Sequence, residues 1–268
     1  MPDFFGKRYN SNALRIVAAA IAFIFLIPYT ASVYNGLSRL FGMAFDIPYA
    51  VCVIAMAVLT GVYVILGGYM ATAINDFIQG IIMLVGIVCV ISAVLSGQGG
   101  FLEAIRKLSE IPSDVPATMG QQGAFTSFFG ADPLNLVGVI ILTSLGTWGL
   151  PQMVQKFYAI KSESAIKKGT IISTLFAVVV SGGCYFLGGF GRLYSDKIDI
   201  AANGYDSVIP TVLSDLSPAL IGLVVILVLS ASMSTLSSLV MASSSTLTLD
   251  VIKGHMVKDL NEKKQVLI

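Results

Sequence analysis

Charge is what this sequence has least of. Asp, Glu, Lys and Arg make up 12% of its 268 residues, against about 25% in a soluble domain, which argues against an ordinary water-soluble protein. Lys+Arg 16 against Asp+Glu 15 leaves a net charge of +1, so there is no basic surface for nucleic acid. Histidine occurs once, at His255, and neither HExxH nor GxSxG is present, so no enzyme is expected. The three cysteines, Cys52, Cys89 and Cys184, lie inside apolar runs. They form neither a CxxC pair nor a disulfide framework.

What the chain has instead is apolar length. The AVILMFWYC residues reach 56% and the mean hydropathy is +0.85. A bilayer core of about 30 Å needs about 20 mostly apolar residues per helix, and six stretches qualify. They are Leu14–Leu40, Pro48–Gly68, Thr72–Leu95, Leu136–Ala159, Gly169–Tyr194 and Pro218–Asp250. The expectation is an all-α, multi-pass integral membrane protein in the lipid bilayer. An N-terminal segment (1–13) precedes a transmembrane region (14–253), and a polar, basic tail (254–268) follows it. The first run is too long for a signal peptide, has no small-residue cleavage site, and precedes five more runs.

Orientation is read from Lys and Arg. With the N-terminus inside, the cytoplasmic segments hold Lys7, Arg8, Arg15, Lys156, Lys161, Lys167, Lys168, Lys253, Lys258, Lys263 and Lys264. The outer segments hold only Arg39, Arg106, Lys107, Arg192 and Lys197. Both termini are therefore expected in the cytoplasm. In the long outer segment Ser96–Pro133, Phe101, Leu102, Ile105 and Leu108 recur at helical spacing, which predicts a short interfacial helix.

Polar residues inside apolar runs carry the chemistry. A mid-membrane carboxylate costs about 2.5–3.5 kcal/mol on insertion scales, and Asp76 is the only acid inside a span. Thr72, Asp76 and Gln79 share a helix face by their spacing. Asp76 either snorkels to the cytoplasmic interface or serves a site. The last span carries the run Ser230-Ala231-Ser232-Met233-Ser234-Thr235-Leu236-Ser237-Ser238. Hydroxyls and carboxylates suit a hard monovalent cation, while small residues also serve close helix packing. At about 1.5 Å per residue, Ser234 lies roughly 24 Å from the outer end, near the depth of Asp76. The fourth span is interrupted by Gly146-Thr147-Trp148-Gly149-Leu150-Pro151-Gln152. This is a proline kink or a broken helix of the kind that exposes backbone to a transported solute.

MPDFFGKRYNSNALRI, GGYMATAINDFIQGIIM, GTWGLPQMVQKFYA and LSASMSTLSSLVMASSSTLTLDVIK resemble the sodium:solute symporter family, which carries proline, pantothenate, sugars and sialic acid. The resemblance covers the whole chain in the family's order and spacing. It implies the five-plus-five inverted-repeat fold of the leucine transporter, of which this chain would be the six-helix middle segment. It also implies that Ala231, Ser234 and Thr235 form one half of the shared sodium site, and that Asp76 with Ser234, Ser237 and Ser238 forms a second. Thr143, Thr147 and Trp148, with the break glycines Gly146 and Gly149, match the part lining the solute pocket. Several relatives carry Tyr or Trp at the positions of Thr143 and Thr147, so this pocket should differ from theirs. The expected activity is sodium-coupled symport of a small organic solute by alternating access, without a cofactor, in a bacterial cytoplasmic membrane. The helices before and after this block are missing, so the chain is expected to be a fragment. The rival expectation is a membrane channel or a non-transporting scaffold, with the isolated fragment inactive.

Overall fold

The computed structural model describes residues 2–158, 160, 162–198 and 204–256, whose regular structure is all helical, with no strand among them. In chain order they form α1 (Pro2–Tyr9), α2 (Asn12–Phe45), α3 (Tyr49–Gly97), α4 (Phe101–Glu110), α5 (Pro133–Gly146), α6 (Pro151–Phe157), α7 (Glu163–Gly189), α8 (Val208–Ser214) and α9 (Pro218–Ser245). A π-helix over Thr246–Met256 continues α9. Most of the tail, residues 257–268, lies outside the described residues.

Four helical stretches are long and apolar enough to cross a membrane: Asn12–Gly42, Tyr49–Gly97, Glu163–Lys197 and Pro218–Lys253. Straight, the 49 residues of α3 would run about 73 Å, more than twice a hydrocarbon core. The chain breaks at Gly68, where φ is 58° and ψ −166°, a conformation essentially reserved for glycine. α3 therefore consists of two arms, 49–67 and 69–97.

Helix starts follow from their caps. Ser11 accepts from the Leu14 N–H, Asp132 from the Asn135 N–H with Pro133 behind it, and Ser162 from the Ala165 N–H. Each satisfies one backbone donor that a helix start leaves unpaired.

α9 packs most extensively on α3 and next on α2. Glycines allow the closest approaches. A Cβ at Gly86 would meet the Leu227 side chain at 2.7 Å, and one at Gly183 would meet Ile87 at 2.9 Å. The main core joins Leu40, Val90, Val94, Leu187, Val212 and Val224 from α2, α3, α7, α8 and α9. The loop between α4 and α5 is tied down by Arg192, which donates to Asp114 at 2.6 Å and lies 4.4 Å from the Phe125 ring centroid.

Candidate cation and solute sites

Two contacts set the register of α3 against α9. The Thr72 hydroxyl, bonded to the Gly68 and Tyr69 carbonyls, lies 3.8 Å from Met241 Sδ. Fourteen residues on, Gly86 meets Leu227, fourteen residues back from Met241. The arms are antiparallel and in step, since both helices rise about 1.5 Å per residue. Asp76 is accordingly level with Ser237, and Gln79 with Ser234. Thr72, Gln79 and Gly86 are buried on that seam, as are Ser237 and Ser238.

The hydroxyls of this helix are already bonded to their own backbone. Thr235 donates to the Ala231 carbonyl at 2.9 Å, while Ser237 and Ser238 both donate to the Ser234 carbonyl at 3.0 Å. A hydroxyl used as a donor keeps its lone pairs, so these oxygens present negative charge outward and suit a cation. Ala231 and Thr235 lie on another side of α9. With Ser32, Gly36, Arg39 and Asp206 they line a cavity of about 470 Å³ between α2, α8 and α9, and the Asn35 amide donates to Asp206 at 2.9 Å. The cavity side and the α3 seam are thus adjoining faces of one helix.

Asp76 carries one oxygen in an ion pair and one alone. Its Oδ2 accepts from Lys156 Nζ at 3.3 Å, whereas its Oδ1 is buried without a partner. Sequence reasoning counted Lys156 only as an inner-loop charge. The long lysine stem carries the ammonium away from its own backbone, which no span boundary reveals. Sequence reasoning named Gln152 only as the end of the break; it lies one helical turn before Lys156, and its side chain is buried with both amide atoms unpartnered. Its i, i+4 spacing from Lys156 was the available signal.

The helix break has the expected form. α5 ends at Gly146, a single 3-10 turn spans Thr147–Gly149, and α6 begins at Pro151. Gly146 and Gly149 line an apolar cavity of about 580 Å³ against α2, beside Val17, Ile21 and Phe25. The remaining solute-pocket candidates are not brought together with other elements. Thr143 and Thr147 hydroxyls bond to the Val139 and Ser144 carbonyls of their own turn, and Trp148 is 76% exposed. Residues 133–149 are exposed along their whole length.

At the same end of the molecule as Lys156, Arg15 joins three elements. Its guanidinium donates to Asp250 Oδ1 at 3.1 Å and to the Leu249 carbonyl at 3.1 Å, and lies 3.4 Å from Asp3. Asp3 also pairs with Lys7 at 2.8 Å, and that hydrogen bond holds its carboxyl below the usual carboxylate range.

Long apolar helices, a seam of small residues and a broken helix define a multi-pass integral membrane protein. The family model of the sodium:solute symporter family matches residues 1–268. The chain belongs to that family. It is 26% identical to the osmoregulated proline transporter OpuE of Bacillus subtilis (strain 168) over all of this chain and 53% of that protein. It is 27% identical to the sodium/pantothenate symporter of Haemophilus influenzae over 98% of this chain and 52% of that protein. With the sodium/proline symporter of Salmonella typhimurium the identity is 27%, over 100% and 53% of the two chains. The chain spans about half the length of these curated relatives.

Proposed function

We propose that this chain is the middle block of a longer carrier that couples sodium entry to the uptake of a small organic solute by alternating access. In this reading it forms the six-helix middle of a five-plus-five inverted repeat, with both termini in the cytoplasm of a bacterial cell. The carrying observation is the seam between α3 and α9, where Asp76 lies level with a buried pair of serines whose lone pairs are uncommitted. Packing alone does not explain it, because an unpartnered carboxylate oxygen inside the protein is unfavourable unless a cation or donor meets it.

The roles then divide. Ala231, Ser234 and Thr235 supply one half of a first sodium site, completed by helices outside this chain. Asp76, Ser234, Ser237 and Ser238 hold a second sodium ion. Thr143, Gly146, Thr147, Trp148 and Gly149 meet the solute, which in the whole carrier sits between the broken helix and helices outside this chain. Sodium bound at α9 favours the outward-open state, so solute binds there and both leave inward. Such coupling requires each ligand to prefer one state over the other.

Relatives are named for proline and pantothenate, so these solutes come first in a test. The full carrier containing this chain, reconstituted in proteoliposomes, should take up one of them only with an inward sodium gradient. Ser234→Ala and Thr235→Ala should each raise the half-saturating sodium concentration about tenfold, the usual scale for a lost metal-site oxygen. Uptake indifferent to sodium would refute symport, and an unchanged sodium midpoint in both variants would refute the assigned site.

A further inference from the structure

Among the described residues, few buried side-chain polar atoms lack a partner. They are Thr60 Oγ1, Asp76 Oδ1, Gln79 Oε1, and both amide atoms of Gln152. Gln79 is 6% exposed and Gln152 4%. A buried amide without a hydrogen bond is costly, and folded proteins leave few such groups unexplained.

Except for Thr60, these atoms belong to Asp76 itself, to its neighbour on α3, or to a residue one turn from its ion-pair partner. Gln79 lies within one turn of Asp76 on α3, on the buried seam and level with Ser234. Gln152 lies one turn from Lys156 on α6, and the Lys156 ammonium reaches Asp76 at 3.3 Å. α6 also packs on α9. Three helices therefore meet near Asp76, α3 directly, α6 through the Lys156 ion pair and α9 across the seam. α3 brings Asp76 and Gln79, α6 brings Gln152, and α9 brings Ser234, Ser237 and Ser238.

Charge makes neutral oxygens necessary here. The Lys156 ammonium already offsets the Asp76 carboxylate, so a sodium ion at Asp76 meets a pair that is nearly neutral overall. It must be held by dipoles, and the amide carbonyl is the strongest neutral oxygen donor among side chains suited to a hard cation.

We propose that Gln79 and Gln152 supply amide oxygens to the cation at Asp76, and that through Gln152 this ion is tied directly to the inner half of the broken helix. The inference rests on the second-sodium reading above and extends it by two ligands and a third helix. It makes Gln152 a mechanical link: the ion is fully coordinated only while α6 lies against α3 and α9, so sodium occupancy and the position of the solute-binding break report on each other.

The test uses the full purified carrier, with radioactive sodium binding and sodium-dependent melting as readouts that need no knowledge of the solute. Gln79→Met and Gln152→Met keep the volume and remove the oxygen. Without sodium, each should melt no lower than the parent, because an unpaired buried polar group has gone. Each should lose most of the sodium-induced rise in melting temperature and weaken sodium binding about tenfold. Gln79→Glu, which restores an oxygen, should bind sodium at least as tightly as the parent. If both Met variants keep the parental sodium midpoint while Asp76→Asn weakens it, the glutamines are not ligands and the inference falls, although the second site stands. If Asp76→Asn also leaves the midpoint unchanged, the site and the inference fall together. Met variants that melt lower without sodium yet keep the full sodium-induced rise would show a packing role only, and would overturn the proposal.

Discussion

Ser237 has no exposed surface and donates to the Ser234 carbonyl, and such local bonding makes a dense hydroxyl run tolerable inside a membrane helix. Each hydroxyl settles its proton on the preceding turn and keeps its lone pairs for whatever lies across the seam. Asp76 was legible in the sequence because an acid stands out in an apolar run. Its partner was not, since Lys156 reaches it across 80 residues of chain. The Asp76 side chain is 19% exposed, so removing the partner leaves a partly buried charge uncompensated. Lys156→Met should therefore destabilise the sodium-free carrier by about 1–3 kcal/mol, and saturating sodium should recover much of the loss. Thermal melting with and without sodium checks both halves of that expectation. Equal losses in the two conditions would separate Lys156 from the ion.

Helical elements were legible where composition punctuates them. The Gly146–Pro151 interruption becomes a 3-10 turn between α5 and α6, as two glycines and a proline require. The runs Pro48–Gly68 and Thr72–Leu95 read as separate helices, and the structure parts them into two arms at Gly68 alone, with no connecting loop. Turn chemistry normally announces a reversal, but here a single residue at φ 58° is enough. A methyl at that position would meet no neighbour within 4 Å, so the cost of Gly68→Ala is backbone strain only. It should be about 1–3 kcal/mol, seen as a lower melting temperature with unchanged expression of the helical signal by circular dichroism. Gly86→Val should be worse, because its methyls would overlap Leu227 and push α3 off α9. That variant should also weaken sodium binding, which Gly68→Ala need not do directly.

Across the whole molecule, α1, α2 and the π-helix after α9 are held together by Arg15 between Asp3 and Asp250. The Asp3 carboxyl is held low mainly by its hydrogen bond from Lys7, with Arg15 adding to the effect. A lowered carboxylate pKa contributes stability that is complete above the usual aspartate range and lost as pH falls through the depressed value. Acid titration of the melting temperature should thus fall less steeply below about pH 4 in Asp3→Asn than in the parent. The difference should be small because the Asp3 side chain is 43% exposed and solvent screens the pair. The exposed length of α5 and the half site proposed at Ala231 and Thr235 lead to another expectation. The 268-residue chain reconstituted alone should show no sodium-stimulated uptake of proline or pantothenate, while the full carrier does. Uptake by the isolated chain would mean that the sites close within it.

Composition and periodicity by themselves decided that the chain is helical and membrane-embedded, where most long helices fall, and which polar residues sit where lipid would reject them. They could do so because hydrophobic length and misplaced polarity are properties of a single segment. Which of those polar groups meet was settled only by tertiary structure. The in-step antiparallel seam of α3 and α9, the reach of Lys156 to Asp76, and the burial of Gln152 all depend on distances between segments far apart along the chain, and no one-dimensional pattern encodes such distances.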